Sequence, residues 1–417
     1  MQNLSRASLQ YESLTSCGGC GSTSLFEAYN FGEVPIAGHF PIKAEDVLPL
    51  VPMSLMFCSD CTLVQISPNV NDDYLFSDYR YISSVGMKSH FTELAQWFIT
   101  REEPGKSARI LEIGCNDGPL LQSLSDLGFS PTGIDPAKNI VEKARKSGLN
   151  VIDDFFNESA LEKYEELRDI DYIFSSNSFA HISDIKSIAK AISIALSNKG
   201  KFVVEVQSFV ELVKKNAFDF VYHEHKYYYT ISSISRMMSQ YGLHLEHCEL
   251  IDIHGGSYRF IFSKEEKSLA TDLLDLIRSE EDMSLDSDVI SNAVKRYIHA
   301  LESFDTYFES RKFENKKIVA FGASGRANML LAHLPKIRSA IPFIIDESPE
   351  RIARNMAQDL VPIKAFSSEH LNDFEVVLIL AWNFSETIIN KWTNKVNIEF
   401  GIPLPEFRKV TFHEDNR

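Results

Sequence analysis

The sequence predicts an α/β protein in which two Rossmann-like units of the doubly wound type follow an N-terminal cysteine module. Three observations support this prediction. Two CxxC pairs lie in the first part of the chain, an apolar run that ends in a glycine turn begins at residue 110, and a second such run begins at residue 318. A strand, a glycine turn and a helix form the unit that binds ligands at the carboxyl ends of parallel strands. At 417 residues, the chain is long enough for two or three domains.

Composition and charge limit the classes of function. Lys and Arg total 42 against 58 Asp and Glu, which gives a formal net charge of −16 and argues against broad binding to a nucleic-acid backbone. No apolar run approaches the roughly 20 residues that cross a bilayer, and residues 1–17 lack the apolar core of a signal peptide. We therefore expect a cytoplasmic protein with no nucleic-acid or membrane partner.

The cysteines indicate a metal site rather than a disulfide framework. Cys17 and Cys20 form one CxxC pair, and Cys58 and Cys61 form the second. Four thiolates complete a tetrahedral shell with no open position for water, so the pattern predicts a structural zinc ion. A redox CxxC and buried cysteines that act as small apolar residues are the competing interpretations.

The predicted zinc module extends over residues 1–85. Its last part, residues 74–84, is rich in phenols and hydroxyls. Tyr81 is a candidate catalytic residue and Tyr79 a candidate substrate contact in this stretch, and a packed linker is the alternative interpretation.

The middle segment, residues 86–265, has the pattern of a methyl-donor domain. Its first glycine turn contains Gly114 and Gly118 but not the GxGxxG of a dinucleotide site. Glu112 before the turn fits the pattern of S-adenosylmethionine enzymes, and Asp135 at the end of the next strand is placed to hydrogen-bond both ribose hydroxyls. The predicted donor contacts are Glu112, Gly114, Asn116, Gly118, Asp135, Asp154, Phe155 and Asn177, with Asp154 and Phe155 at the adenine.

Titratable and aromatic side chains are densest in YHEHKYYYT, residues 222–230. A site that removes a proton and stabilises an oxyanion needs such groups within hydrogen-bond reach. We interpret this stretch as the chemical centre, with His225, Tyr222 and Glu224 as catalytic candidates and His223 as a substrate contact. An aromatic cluster that only packs a loop is the alternative.

A Gly-Gly pair at residues 255–256 joins two apolar runs near the same predicted edge of the sheet. Glycines there permit close approach of the backbone to a substrate, with His254 and Ser257 beside them. Arg259 is a candidate anion clamp. A plain hairpin turn is the alternative interpretation.

The last segment, residues 266–417, begins with a helical connector and continues as a second α/β unit. Its glycine turn, GASGRAN, would expose backbone amides at a helix N-terminus, with Arg326 supplying charge to an anion. The predicted contacts of a nucleotide-type ligand are Gly322, Ser324, Arg326, Asn328, Asp346 and Asn383. A purely structural domain is the alternative.

These motifs, in this order, resemble the sugar C-methyltransferase family, which methylates C-3 of nucleotide-linked keto-deoxysugars in branched-sugar biosynthesis. The resemblance covers nearly the whole chain and is carried by the CxxC pairs, YLFSDYRYISS, LEIGCNDG, YHEHKYYYT, HGGSYRF and GASGRANMLL. It implies an N-terminal zinc module, a central Rossmann-like methyltransferase domain that uses S-adenosylmethionine, and a C-terminal second Rossmann-like domain that helps to bind the nucleotide sugar. It also implies a monomer or weak dimer.

The resemblance further implies that His225 takes the proton from the carbon next to the ketone, with Tyr222 and Glu224 orienting groups or stabilising charge. An imidazole titrates near neutrality and suits this task, and the hydroxyl of Tyr222 or Tyr81 would stabilise the enolate oxygen. The zinc takes no part in the chemistry. The sugar and its nucleotide, thymidine, guanosine or cytidine diphosphate, stay open.

Three rival functions are weighed against this one. An O- or N-methyltransferase needs the same donor site but acts on an acceptor that is already nucleophilic. A non-enzymatic regulator or scaffold is disfavoured by the convergent titratable groups. An NAD-dependent epimerase is disfavoured by the lack of GxGxxG.

Overall fold

The computed structural model describes residues 9–76, 83–367, 373–392 and 398–411. The chain forms two compact units, each built from separate stretches of sequence. The first unit comprises Met1–Phe26, Met56–Glu211 and Lys226–Asp286, and the second comprises Glu27–Leu55, Leu212–His225 and Ser287–Arg417. The boundaries predicted from the sequence, near residues 85 and 265, divide the chain into three consecutive segments and stay predictions.

The strands in chain order are β1 (Tyr11–Glu12), β2 (Leu25–Val34), β3 (Val51–Cys58), β4 (Val64–Ser67), β5 (Asn69–Val70), β6 (Ile110–Ile113), β7 (Thr132–Asp135), β8 (Val151–Asp153), β9 (Ile170–Ser176), β10 (Leu196–Gln207), β11 (Tyr227–Tyr228), β12 (His244–Ile251), β13 (Ser257–Ser263), β14 (Ile318–Phe321), β15 (Ile344–Asp346), β16 (Ile363–Ala365), β17 (Val376–Ile379), β18 (Glu399–Ile402) and β19 (Arg408–Thr411).

The helices are α1 (Asp72–Phe76), α2 (Ser84–Glu102), α3 (Pro119–Asp126), α4 (Lys138–Lys146), α5 (Glu158–Lys163), α6 (Ile185–Ala195), α7 (Phe209–Lys214), α8 (Ile231–Ser239), α9 (Thr271–Glu281), α10 (Ser287–Phe313), α11 (Gly325–Ala332), α12 (Pro335–Ala340) and α13 (Ser385–Asn390).

The first unit contains a seven-stranded sheet in the order β12-β13-β10-β9-β6-β7-β8. Strands β6 to β10 pair in parallel, and β13 pairs antiparallel with both β10 and β12. The sheet has helices on both faces, since alternate residues of one strand enter different apolar clusters. Val203 packs with Phe98 of α2, whereas Phe202 and Val204 pack with α6. The predicted doubly wound α/β fold is confirmed.

Polar side chains begin several helices of this unit. Asp184 accepts a hydrogen bond from Ser187 N at the start of α6, and Thr230 accepts one from Ser233 N at the start of α8. Such N-caps satisfy amides that have no partner within the helix. The beginnings of α6 and α8 are therefore fixed by Asp184 and Thr230.

The second unit contains a six-stranded sheet in the order β16-β15-β14-β17-β18-β19. All of its strand pairs are parallel except β18 with β19, which is antiparallel. The strands β14 and β17 consist almost entirely of buried aliphatic residues, as expected for parallel strands covered on both faces. The sequence-predicted second α/β unit is thus present.

The connector between the two α/β regions is helical, as predicted. It consists of α9 in the first unit and α10 in the second, which are separated by residues 282–286. Among the described residues, no helix is both long enough and apolar enough to span a membrane.

Candidate active site

The turn after β6 requires glycine at Gly114. Its φ is +69°, in the left-handed region, and a Cβ at this position would lie 2.4 Å from Cβ of Ser178. Gly118 has a φ of +81° and begins α3. Glycine adopts such a φ without steric cost and permits close approach of a ligand. Both the positive φ and the packing against Ser178 therefore require glycine at residue 114.

Asp135 holds this turn from the end of the neighbouring strand. Its Oδ2 accepts a hydrogen bond from Asn116 N at 3.0 Å, and its Oδ1 accepts one from Ala137 N at 2.9 Å. The residue is buried, and burial raises the pKa of its carboxyl group. Each carboxylate oxygen can accept a second hydrogen bond, which suits the pair of ribose hydroxyls predicted for this position.

Glu112 and Asn177 each present a buried polar atom without a partner among the described residues. The atoms are Oε2 of Glu112 and Nδ2 of Asn177. Glu112 is 2% exposed, and its pKa is raised well above the usual value, first by burial and then by the nearby Asp135 and Glu205. An unpartnered carboxyl group at a ligand edge fits a cationic ligand, because pairing with a cation offsets the cost of burying the charge.

The predicted adenine contacts lie after β8. The Phe155 ring is 44% exposed. Asp154 accepts hydrogen bonds from Phe155 N at 2.9 Å, from Lys163 at 2.7 Å and from the Tyr164 hydroxyl at 3.2 Å. The hydrogen bond from Lys163 lowers the pKa of Asp154. Phe155 is therefore partly accessible for contact with a ligand, whereas Asp154 is engaged with α5 and the residue after it.

The Gly-Gly pair forms the hairpin turn between β12 and β13. The backbone carbonyl of His254 accepts a hydrogen bond from Gln207, and the Ser257 hydroxyl donates to Ile253 O. Of the two interpretations given above, the plain hairpin turn is what the structure contains. A role for His254 and Ser257 in substrate binding stays a prediction.

Arg259 is buried within the sheet rather than directed to an open edge. Its guanidinium group donates to Glu205 at 2.8 Å and to Glu249 at 2.9 Å, and it stacks on the Trp97 ring at 4.5 Å. Glu205 also hydrogen-bonds His90 at 2.8 Å. Burial would raise the pKa of Glu205, but His90 and Arg259 outweigh this and lower it. Because two carboxylates already neutralise Arg259, we leave it out of the proposed site.

The chemical centre predicted at residues 222–225 has a defined geometry in the second unit. His225 Nε2 lies 2.9 Å from the Tyr222 hydroxyl, and His225 Nδ1 lies 3.1 Å from the carbonyl oxygen of Phe220. The two rings are in contact, with centroids 4.1 Å apart and planes inclined by 30°. A carbonyl oxygen only accepts, so Nδ1 carries the proton and Nε2 of the neutral ring is the basic nitrogen.

His223 and Glu224 are both buried. His223 Nε2 donates to Pro52 O at 3.2 Å, and burial lowers the pKa of this imidazole to about 4. Glu224 Oε1 accepts a hydrogen bond from Gly38 N at 2.7 Å. The two side chains therefore anchor the segment 222–225 to residues 38 and 52, and a direct contact of either with a substrate stays a prediction.

The second glycine turn, after β14, repeats the geometry of the first. Gly322 has a φ of +99°, and a Cβ there would lie 2.5 Å from Cβ of Ala381. Asp346 Oδ2 accepts from Ala323 N at 2.6 Å, and Oδ1 accepts from Ser348 N and from Arg351. The sequence-predicted strand, turn, helix and acid are all present.

The other side chains predicted to bind a ligand at this turn have partners within the chain. Ser324 accepts a hydrogen bond from Ala327 N and caps α11. Asn328 Nδ2 donates to Ala37 O at 2.8 Å and to His39 O at 3.2 Å. These contacts place residues 37–39 against the N-terminal half of α11, where a nucleotide was predicted.

Arg326 and Asn383 are paired in the same region. Arg326 forms an ion pair with the buried Asp219, at 2.6 Å, and donates to Asn383 Oδ1 at 3.0 Å. We therefore leave Ser324, Arg326, Asn328, Asp346 and Asn383 out of the proposed ligand contacts.

The four predicted zinc ligands come together in the first unit. The sulfur atoms of Cys17, Cys20, Cys58 and Cys61 all lie within 4.8 Å of one another, with Cys17 to Cys61 at 3.5 Å and Cys20 to Cys58 at 3.6 Å. Tetrahedral zinc with Zn–S bonds of about 2.3 Å requires sulfurs roughly 3.8 Å apart. The geometry fits a closed zinc site.

Two predicted residues cannot be placed, and two others were missed. Tyr79 and Tyr81 lie outside the described residues. Asp219 was missed, although a lone acid in the apolar run AFDFV is a usable signal of a buried ion pair. Lys226 was also missed; it is 2% exposed and pairs with Asp72 at 2.5 Å.

Comparison with known proteins gives matches along most of the chain. Three family models match: "Putative zinc binding domain" at residues 17–76, "Methyltransferase domain" at residues 87–248 and "C-methyltransferase C-terminal domain" at residues 252–405. C-methyltransferase NovU of Streptomyces niveus is 25% identical over 423 residues, which cover 95% of this chain and 97% of that protein.

Two further matches concern the methyltransferase part. The ubiquinone biosynthesis O-methyltransferase of Xylella fastidiosa is 26% identical over 179 residues, which cover 39% of this chain and 69% of that protein. The crystal structure of magnesium protoporphyrin IX methyltransferase from Synechocystis PCC 6803 with bound SAM covers 43% of this chain and 81% of its own, at 10% identity and a TM-score of 0.35.

The four-cysteine cluster, the three family models and the similarity to NovU lead to one assignment. The family models follow one another from the zinc ligands to the second α/β unit, and the similarity to NovU spans both chains. This chain is an S-adenosylmethionine-dependent C-methyltransferase with a structural zinc site, and it is similar along nearly its whole length to C-methyltransferase NovU.

Proposed function

We propose that this enzyme methylates the carbon next to the ketone, C-3, of a nucleotide-linked 4-keto-deoxysugar through an enolate. The observation that supports this most strongly is the orientation of His225. Its Nδ1 donates to Phe220 O, at 3.1 Å, and its Nε2 faces the Tyr222 hydroxyl, at 2.9 Å. A neutral imidazole held in this tautomer presents a base that works at neutral pH.

The acceptor carbon becomes nucleophilic by losing its proton. In the proposed step, His225 Nε2 takes the proton, the C–H electron pair forms a carbon–carbon double bond, and the carbonyl electron pair moves to oxygen. The imidazolium keeps its Nδ1 hydrogen bond to Phe220 O. After methylation the ketone reforms, and His225 releases the proton to solvent.

Tyr222 has two tasks in this scheme. In the free enzyme its hydroxyl is the partner of Nε2. The acceptor C–H group takes that place, and the hydroxyl then donates to the carbonyl oxygen on which charge develops. A donor aimed at a developing oxyanion stabilises the transition state more than the ground state. Glu224 holds the segment through Gly38 N and is assigned an orienting role.

When bound, S-adenosylmethionine supplies an electrophilic methyl group on a cationic sulfur. We assign Asp135 to the ribose hydroxyls, Phe155 to the adenine face and Glu112 to the cationic half of the donor. The other proposed donor contacts are Gly114, Asn116, Gly118 and Asn177. Asp154 is assigned a supporting position beside Phe155. The supporting observations are the positive φ of Gly114 and Gly118, and Glu112 Oε2 and Asn177 Nδ2, which have no partner among the described residues.

Product analysis with a substrate panel tests this function. The enzyme is incubated with methyl-labelled S-adenosylmethionine and 4-keto-6-deoxysugars linked to thymidine, guanosine or cytidine diphosphate, in deuterated water. We expect one new carbon-bound methyl group, located at C-3 by NMR, on the sugar of one nucleotide. Without donor, deuterium enters the same carbon.

Two results would contradict the proposal. A methyl group on oxygen or nitrogen, with no exchange at carbon, would make the enzyme a heteroatom methyltransferase on this substrate. Absence of both product and exchange across the whole panel would exclude the keto-deoxysugar as the acceptor.

A further inference from the structure

Asp219 is a fully buried carboxylate in the short 3₁₀ helix Phe218–Phe220. Its Oδ2 accepts hydrogen bonds from Arg326 Nε at 2.9 Å and from the indole Nε1 of Trp382 at 2.8 Å. A second guanidinium nitrogen, Nη2, lies 2.6 Å from the same oxygen. A buried carboxylate persists only when charge and hydrogen bonds compensate it, so Arg326 and Trp382 fix the position of this helix.

Arg326 contacts the same helix through a second surface. Its guanidinium carbon lies 3.6 Å from the ring centroid of Phe220 and 5.1 Å from that of Trp382. Its Nη1 donates to Asn383 Oδ1. A planar guanidinium group can form a fork to a carboxylate and stack on aromatic faces, and lysine can do neither in the same way.

The proposed base, His225, is hydrogen-bonded to this 3₁₀ helix. The carbonyl of Phe220 is the acceptor for Nδ1 of His225. That hydrogen bond decides which ring nitrogen carries the proton, and hence which one is the base. Arg326 packs on the Phe220 ring and pairs with Asp219, the residue before it. Arg326 therefore controls where the carbonyl group of Phe220 lies.

We infer that Arg326 and Asp219 are positioning residues that hold the His225 imidazole in its basic tautomer through Phe220. This inference rests on the proposed function, in which His225 is the base. It also assigns the arginine of the second glycine turn to the catalytic base rather than to the phosphates of the nucleotide sugar.

The two assignments predict different kinetics for Arg326→Lys, which keeps the charge but loses the fork and the stacking. For a positioning residue, kcat for methyl transfer and the rate of deuterium exchange at the acceptor carbon both fall by about tenfold to a hundredfold, because small misplacement of a base is costly. The KM for the nucleotide sugar stays within about threefold, since ground-state binding is unaffected.

The chain offers a matched control in Arg338. Its side chain is 16% exposed against 15% for Arg326, and it pairs with Asp359 at 2.6 Å in the same unit. Arg338→Lys therefore applies the same chemical change to an arginine whose hydrogen bonds go to Leu331 O, Gln358 and Asp359 rather than to the 3₁₀ helix Phe218–Phe220. We expect unchanged kcat and exchange for this variant.

A spectroscopic readout makes the test independent of turnover. With ¹⁵N-labelled histidine, the His225 signals are identified by their loss in His225→Asn. We expect a neutral, Nδ1-protonated ring in the native enzyme and in Arg338→Lys, and a mixture of tautomers in Arg326→Lys. Trp382→Phe, which removes a single hydrogen bond to Asp219, provides a milder variant with the same direction of change if Arg326→Lys fails to fold.

The outcomes distinguish a failure of the inference about Arg326 from a failure of the assignment of His225 as the base. A rise in KM of tenfold or more with unchanged kcat and an unchanged His225 spectrum would overturn the inference in favour of a phosphate ligand, and so would native behaviour in Arg326→Lys. Normal exchange in His225→Asn would instead refute the base assignment, while the tautomer spectra would still report on Arg326.

Discussion

The two glycine turns of this enzyme have nearly the same backbone, and we propose that they have opposite uses. In both, the glycine amide donates to the neighbouring strand, Gly114 N to Ile134 O and Gly322 N to Ile345 O, each at 2.8 Å. In both, an aspartate at the end of that strand accepts a hydrogen bond from a turn amide, Asp135 in the first unit and Asp346 in the second. The local geometry alone therefore does not decide whether a ligand binds.

The surroundings of the two turns differ. In the first, the strand carries the buried Glu112, whose Oε2 has no partner among the described residues. In the second, Ala320 occupies the position two residues before the glycine, and Arg351 pairs with Asp346 at 3.1 Å. A Cβ at Gly325 would lie 3.1 Å from Ala37 O. We therefore propose that the first turn binds a ligand through Glu112, whereas the polar groups of the second turn hold the chain itself.

Substitution of the two aspartates should separate these uses most strongly. Asp135→Asn removes the charge that would hold the ribose hydroxyls, and we expect the Kd for S-adenosylhomocysteine to rise by about a hundredfold, since hydrogen bonds to a charged group contribute roughly 1.5–3 kcal/mol. Asp346→Asn should leave this Kd unchanged and lower the thermal stability. Calorimetric titration and a melting curve measure both. A weaker donor affinity in Asp346→Asn would contradict the contrast.

Acid should destabilise the second unit through His223. Burial lowers the pKa of this imidazole from 6.5 to about 4, so between these values the unfolded chain binds a proton that the folded chain does not. The contribution of neutral His223 to the free energy of unfolding is complete above about pH 6.5. It is lost as the pH falls toward 4, by up to about 3 kcal/mol. His223→Gln keeps a donor near Pro52 O and should show a flatter dependence in denaturant unfolding. Parallel curves for the two proteins would exclude this role.

Alanine at the two glycines should destabilise both units and affect donor binding in only one. Gly114→Ala and Gly322→Ala each force an L residue to a positive φ and into a close contact, at a cost of about 1–3 kcal/mol. Donor binding should be lost only in Gly114→Ala. Gly105→Ala is a suitable control, because a Cβ there meets nothing within 4 Å. Equal loss of donor affinity in both turn variants would show that the second turn is also a donor site.

The pH dependence of donor affinity should report on Glu112. Burial raises the pKa of this carboxyl group, and a cationic donor favours its ionised form. The affinity should therefore weaken as the pH falls below that raised pKa, by up to about tenfold per pH unit. Glu112→Gln should bind more weakly at neutral pH and lose this slope. A native slope in the variant would mean that another group titrates.

Sequence reasoning succeeded where structure is determined locally. The turns at Gly114 and Gly322 and the spacing of Cys17, Cys20, Cys58 and Cys61 are encoded by neighbouring residues, and all were predictable. It does not show which partners a polar side chain finds in distant segments of the chain. Arg326 meets Asp219 from 107 positions away, and Asn328 meets Ala37 from 291. Whether an arginine is a ligand contact or a buried partner is decided by such packing.

The central claim is that His225 generates the carbon nucleophile, and hydrogen exchange without the methyl donor tests it most directly. His225→Asn keeps a donor near Phe220 O but removes the basic nitrogen, and His299→Asn changes a side chain that is 81% exposed on α10. The assay uses deuterated water and the nucleotide sugar that proves active. We predict exchange at the acceptor carbon for the native enzyme and for His299→Asn. For His225→Asn we predict that the exchange rate falls by at least about a hundredfold, with unchanged donor affinity. Native exchange in His225→Asn would contradict the account.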